Sequence, residues 1–429
     1  MPRFGFLSFV LYWISCGLFD AQVLPSKEQE SVLPYARKIT AALCSPSFDG
    51  RGYVNSGCNR AGNYLLEEFK RIGLLPFQGR NTQAFFLEVN TFPSQCAVRS
   101  GHKTLQPGVD YLVHPSSGGY KGKLKLIPMN AAEILAYSGG SFNAPREGIV
   151  FMPSKGLSRD SLKLVRTKLE KIAETERGVV EITSEKLTWS VSPRAFRFPY
   201  LQRYDTSLTT PPKHLFLNIQ SEIQARVVVQ NCFGLVPSVE PSDSLILVCA
   251  HYDHLGRMGK DTYFPGANDN ASGVAMMLSL ARELQQNPLQ HHSVLFVAFA
   301  GEEIGLEGSF AMVQAPWLAL RKISMVLNLD ILGSGEEGIT VVNGSIFPKY
   351  YQQLVQINDA LKAVPVVKSR GKAANSDHFP FSEKGVPALF VYTMGPNKNY
   401  HDIHDTYQNL SFNRFEQLFE VFLEFLKRF

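Results

Sequence analysis

The sequence predicts an α/β protein, a mostly parallel mixed sheet with helices on both faces, interrupted by a smaller strand-rich insertion. Three observations carry this. From Leu245 onward, short apolar runs alternate with amphipathic stretches. Between about Gly101 and Ser221 that rhythm is lost, Gly and Pro become dense, and short strands predominate. Finally, 45% hydrophobic and 19% charged residues in a chain of 429 are ordinary for a globular protein with a sizeable buried core.

At the N-terminus, Arg3 precedes Phe4–Phe19, which is apolar apart from Ser8, Ser15, Cys16 and Gly17. That run is shorter than the roughly 20 residues that span a bilayer, and polar sequence follows from Pro25. It reads as a signal peptide over residues 1–21, cleaved near Ala21, and so implies a secreted or periplasmic protein. A lipid anchor on Cys16 is the alternative, although Trp13-Ile14-Ser15 is a poor lipoprotein box. No other stretch is long and apolar enough to span a membrane.

Helices are expected at Ser31–Leu43 and Arg60–Ile72, where Tyr64, Leu65, Phe69 and Ile72 recur on one face. A strand is expected at Ala84–Val89. Within the insertion, 101–221, only Ser161–Glu176 reads as helical. The remaining segments, 22–100 and 222–429, form the main domain. Its strands are expected at Leu245–Ala250, Ser293–Ala300, Ile323–Leu329, Ile339–Val342 and Ala388–Tyr392. Helices are expected at Gly273–Gln286, Leu306–Gln314, Tyr350–Ala363 and Phe412–Lys427. Such alternation gives a sheet covered on both faces, with ligands bound beyond the carboxyl ends of its strands.

The net charge of +5 is small, and no Lys/Arg-rich run points to nucleic acid. Beyond Cys16 the cysteines are Cys44, Cys58, Cys96, Cys232 and Cys249. Export would permit a bridge from Cys44 to Cys58 across a polar Gly-rich loop. Cys249 sits in an apolar run and is expected to be a core residue. None has zinc-binding cysteine spacing.

The residues following the strands are one-sided in chemistry. After Leu245–Ala250 come His251, Asp253 and His254; after Ser293–Ala300, Glu302 and Glu303; after Ile323–Leu329, Asp330. Asp269 opens the Gly273 helix, and the loop after Ala388–Tyr392 reaches His401, His404 and Asp405. Each alone has an ordinary explanation, as a cap, a turn or a solvated pair. Together they would place many carboxylates at one sheet edge, where they would repel unless divalent cations offset them. Mixed imidazole and carboxylate ligands suit zinc, with cobalt or manganese as substitutes, and a carboxylate bridging two ions is the arrangement of two-metal hydrolases.

These residues stand in ordered motifs: His251-x-Asp253-x-x-Gly256, Asn268-Asp269-Asn270-Ala-Ser-Gly273, Gly301-Glu302-Glu303-x-Gly305-Leu-x-Gly308-Ser309, Asn328-x-Asp330 and Tyr400-His401-x-x-x-Asp405-Thr406. The set resembles the co-catalytic di-zinc exopeptidases of metallopeptidase family twenty-eight. Asp49-Gly-Arg51-Gly and Gly73-Leu-Leu-Pro76 resemble that family's opening segment. The insertion falls where many relatives carry a protease-associated domain, with a weak match at Gly148-Ile-Val-Phe and Gly178-Val-Val-Glu-Ile.

The resemblance implies two zinc ions per chain. His251 and Asp330 would hold one, Glu303 and His401 the other, with Asp269 bridging. Glu302 would be the general base for a water shared by the ions, and Asp253 would orient His251 through its other ring N–H. His401 is preferred to His404 on its spacing from Asp405-Thr406. Asp377 and His378 are expected to support the site; Tyr392 and Tyr400 are candidates to stabilise an oxyanion or simply to pack. Peptides are the implied substrates and an aminopeptidase the preferred activity. A carboxypeptidase or dipeptidase, a glutaminyl cyclase and a receptor-like protein without catalysis are the alternatives.

Overall fold

The computed structural model describes residues 1, 30–139, 146–154 and 157–429. The expected signal segment and Cys16 lie outside them. Eight strands form the main sheet: β1 (Thr82–Thr91), β2 (Glu222–Val236), β3 (Leu245–His251), β4 (Ser293–Phe299), β5 (Ile323–Leu329), β6 (Gly338–Val342), β7 (Val367–Ser369) and β8 (Ala388–Met394). Their order across the sheet is β1-β2-β4-β3-β5-β8-β6-β7. The central run β4-β3-β5-β8 is parallel. Antiparallel pairs flank it at β1-β2, β2-β4 and β6-β8, so the sheet is mixed with a parallel centre.

The four central strands are apolar at nearly every position because both faces are covered there. Side chains alternate faces along a strand. Ile246, Val248 and Ala250 therefore join Val294, Phe296 and Ala298 in one core, with Val274 and Leu278 of the helix Ser272–Gln286 and Phe422 of Phe415–Leu426. The intervening Leu245, Leu247 and Cys249 join Leu295, Val297 and Phe299 in a second core, beneath Met312 and Phe381.

The helix Gly57–Ile72 ends at Gly73, whose φ of 92° closes the last turn. That is a left-handed cap which a β-carbon would strain.

A second eight-stranded sheet is drawn from residues between Cys96 and Ile219. Among the described residues it carries two helices where the sequence suggested one. Arg159–Thr175 was expected; Ala131–Ala136 was not. The short helix is held by reciprocal capping, since Asn130 Oδ1 accepts from Glu133 N while Glu133 Oε2 accepts from Asn130 N. The bridge considered between Cys44 and Cys58 is not present. All five described cysteines are buried free thiols. Among the described residues no helix is long and apolar enough to cross a membrane.

Candidate metal centre

Parallel register builds the site. His251 is the last residue of β3 and pairs with Phe299 at the end of β4. Cys249 pairs with Asn328, so Asp330, two residues on, emerges beside His251. Glu302 and Glu303 follow β4 in a tight turn whose amides Asp253 holds: its carboxylate accepts from Glu302 N at 3.2 Å and Glu303 N at 3.3 Å. Tyr53 Oη donates to the same carboxylate at 2.9 Å.

Asp269 comes from a different direction, the loop that opens the helix Ser272–Gln286. Asp405 reaches across and accepts from Asn268 N at 2.9 Å and Asp269 N at 3.0 Å. Asn270 ties the loop to the sheet by donating to Leu329 O at 3.0 Å. The Asp269–Asn270 peptide is cis.

Asp269 stands between two histidines. Its Oδ1 lies 3.3 Å from His251 Nε2 and its Oδ2 lies 3.1 Å from His401 Nε2. Asp330 Oδ1 is 3.5 Å from His251 Nε2, and Glu303 Oε2 is 3.2 Å from His401 Nε2. The residues thus divide into a His251–Asp330 pair and a His401–Glu303 pair, with one carboxylate facing both. Glu302 Oε2 approaches His251 Nε2 only to 4.0 Å and stands on the wall of the same cavity.

Electrostatics show what this arrangement costs as bare protein. Burial raises the Glu302 carboxyl well above its ordinary range. Burial also opposes ionisation of Asp269 and Glu303, but hydrogen bonds and charge from the histidines outweigh it. They hold Asp269 well down and Glu303 at about 2. His401 is correspondingly driven up to about 11: burial opposes its charge, but Glu303 and Asp269 prevail. Without cations, the imidazoles must serve as counter-ions to the carboxylates.

Divalent ions fit that donor set. His251, Asp269 and Glu303, and likewise His251, Glu302 and Asp330, offer ligand atoms within 4.8 Å of one another. Asp330 Oδ1 is buried without a hydrogen-bond partner among the described residues, whereas its other oxygen accepts from Ser376 Oγ at 3.1 Å.

Most sequence candidates converge here, with two differences in detail. The ring N–H of His251 donates to the backbone carbonyl of Asp253 at 3.2 Å, while the Asp253 carboxylate lies 3.7 Å from the same nitrogen. The carboxylate is engaged instead with the amides of the Glu302–Glu303 turn. His404 is exposed and lines a separate cavity with Glu336 and Ser411. Tyr392 and Tyr400 both line the candidate cavity, and Tyr400 stacks on His401 at 3.9 Å. Asp377 and His378 are fully buried.

Three contributors had no role assigned from the sequence. His254 Nδ1 donates to Glu303 Oε1 at 2.6 Å, and its place in His251-x-x-His254 was the available signal. Trp189, in the loop after strand Gly178–Thr183 of the second sheet, accepts from His401 Nδ1 at 2.8 Å through its carbonyl and donates its amide to His401 O at 2.8 Å. Arg51 is fully buried behind the Asp269 loop.

The fold and the site define a class: an α/β protein whose parallel sheet ends in a buried imidazole–carboxylate constellation suited to divalent cations. The family comparison agrees. The model for peptidase family M28 matches residues 231–426 of this chain. Aminopeptidase YwaD of Bacillus subtilis (strain 168) is 30% identical over 197 residues, covering 44% of this chain and 42% of the relative. A probable leucine aminopeptidase of Arthroderma otae is 29% identical over 208 residues, covering 45% of this chain and 56% of that protein. The chain thus spans about half the length of the curated relatives it matches. The solved structure of BSAP, a zinc aminopeptidase from Bacillus subtilis, superimposes with a TM-score of 0.67 at 16% identity, covering 93% of this chain and 96% of that one. At that identity it shows the shared fold.

Proposed function

We propose that the protein is a secreted di-zinc exopeptidase, an aminopeptidase by preference, acting on the ends of peptide chains. The observation that supports this is Asp269, whose two carboxylate oxygens face His251 and His401 on opposite sides. One ion would be held by His251, Asp330 and Asp269, the other by His401, Glu303 and Asp269. Zinc bound there supplies Lewis acidity, lowering the pKa of water and polarising a carbonyl.

The chain's own residues do the rest. Glu302, unattached to either pair and on the cavity wall, takes a proton from the attacking water and returns it to the departing amine. Asp253 and His254 fix the Glu302–Glu303 turn, and Trp189 fixes the tautomer of His401 so that Nε2 faces the site. The relatives are named aminopeptidases, which favours that specificity; the N-terminal apolar segment favours export. The second sheet, by its position in the chain, is proposed as an inserted protease-associated-like domain.

The test is metal-dependent hydrolysis. A chelator should abolish turnover of aminoacyl anilides, zinc should restore it, and elemental analysis should find two ions per chain. Glu302→Gln should keep both ions while kcat falls by roughly 10²–10⁴-fold, the usual contribution of a general base. Metal-free protein with undiminished turnover would refute the reading.

A further inference from the structure

The candidate cavity measures about 200 Å³, below the roughly 300–1,000 Å³ of typical ligand clefts. It is therefore sized for little more than the residue at the reacting bond. Its carboxylates are all spoken for, because Asp269 and Asp330 face the histidines and Glu302 is the base. One lining residue belongs to none of this. Arg370 follows β7, anchored by its amide to Val341 O at 2.9 Å, and opens the loop that runs to Asn375. Both Arg370 and Asn375 are exposed and both line the cavity. Among the described residues no carboxylate lies within ion-pair distance of the Arg370 guanidinium, whereas Arg60, Arg166, Arg203 and Arg257 each have one.

Charge balance gives this cation a purpose. Arg370 is an exposed cation at the mouth of the cavity with no carboxylate in ion-pair distance among the described residues, so a ligand carboxylate would be its first such partner. A cationic peptide end would add to that charge; a carboxylate would neutralise it. Guanidinium presents paired N–H donors in the plane that a carboxylate accepts.

We propose that Arg370, with Asn375 beside it, is the receptor for a substrate carboxylate on a residue adjoining the scissile bond, so that the enzyme acts on short, carboxylate-bearing peptides. The proposal rests on the exopeptidase reading above. Two sources carry this chemistry: the free C-terminus of a dipeptide, and the side chain of an acidic residue.

The experiment compares Ala-Ala with Ala-Ala-amide, and Ala-Glu-amide with Ala-Gln-amide, on wild type, Arg370→Lys and Arg370→Gln. The wild type should prefer the carboxylate member of one pair by about tenfold or more in kcat/KM, mainly through KM. Discrimination in the first pair identifies the terminal carboxylate, and in the second the side chain. Arg370→Gln should bring that ratio close to one, and Arg370→Lys should keep part of it. The same pairs are titrated calorimetrically into each protein, so binding answers even where turnover is absent. No discrimination in either pair, or discrimination that survives Arg370→Gln, overturns the proposal. Hydrolysis of a neutral aminoacyl anilide tests the peptidase reading separately. Anilide turnover without acid–amide discrimination sinks the Arg370 proposal alone; discrimination in binding without any turnover sinks the peptidase reading alone.

Discussion

At the scale of single residues, Arg51 is the most exacting feature behind the site. It is fully buried, and its guanidinium donates to the carbonyls of Tyr252 at 2.8 Å, Leu43 at 3.1 Å, Pro265 at 2.6 Å, Gly266 at 2.7 Å and Asp269 at 3.2 Å. These carbonyls converge from three segments, and the last belongs to the residue that faces both histidines. A planar fork with five N–H groups satisfies them together; an ammonium with three donors on a flexible stem does not. Arg51→Lys keeps the charge yet leaves carbonyls orphaned, each at about 1–3 kcal/mol. It should lower unfolding stability by about 2–4 kcal/mol and weaken zinc binding, read from denaturant midpoints and chelator competition. Wild-type zinc affinity in this variant would show that the fork does not position Asp269.

Among elements, the turn around Asp49 links the start of helix Gly57–Ile72 to the hairpin that follows the His251 motif. Asp49 accepts from Arg60 Nη2 at 2.8 Å and Arg257 Nε at 2.8 Å. Burial alone would raise its carboxyl, but hydrogen bonds from Arg257 and Arg60 outweigh it and hold the pKa below the ordinary value. Stability from a depressed carboxyl is fully present above the unfolded pKa of about 3.9 and is lost as pH falls through the lower folded value. Asp49→Asn should therefore cost about 1–2 kcal/mol at pH 7, discounted because Arg60 is half exposed. The gap to wild type should shrink below about pH 4, measured as urea midpoints across pH. A gap independent of pH would assign the loss to packing.

Elements were also the most legible level in the sequence. Apolar runs such as Leu245–Ala250 and Ile323–Leu329 mark central strands covered on both faces, and the chemistry sits where those runs stop. His251, Glu303 and Asp330 were therefore readable as a group. The orienting groups were hidden for a physical reason. The carbonyls of Asp253 and Trp189 are backbone acceptors that carry no residue identity, and Arg51 gathers its partners from segments far apart in the chain. The short helix Ala131–Ala136 was missed because its hold is the Asn130–Glu133 capping pair rather than a long apolar stripe.

At the scale of the whole molecule, the two sheets share one centre. The loop of the second sheet reaches the His401 loop through the paired backbone bonds of Trp189 and through Lys186, whose ammonium pairs with the buried Asp402. Trp189 is itself pinned: its ring stacks on Phe264 at 4.7 Å, and its Nε1 donates to Val113 O at 2.8 Å. The side chain thus fixes a carbonyl that orients His401. Trp189→Ala would remove the pin and open a cavity, at a cost of about 3–5 kcal/mol for a buried Trp. Trp189→Phe keeps most of the ring contact and forfeits the Nε1–H bond, at about 1 kcal/mol. If the insertion positions His401, Trp189→Ala should lose the ion on the Glu303–His401 side first, so that metal analysis under limiting zinc gives nearer one ion than two. Trp189→Phe should keep both ions with a modest fall in thermal midpoint. Two tightly held ions in a destabilised Trp189→Ala protein would mean that the Trp189 loop contributes packing and leaves His401 to be placed by its own loop.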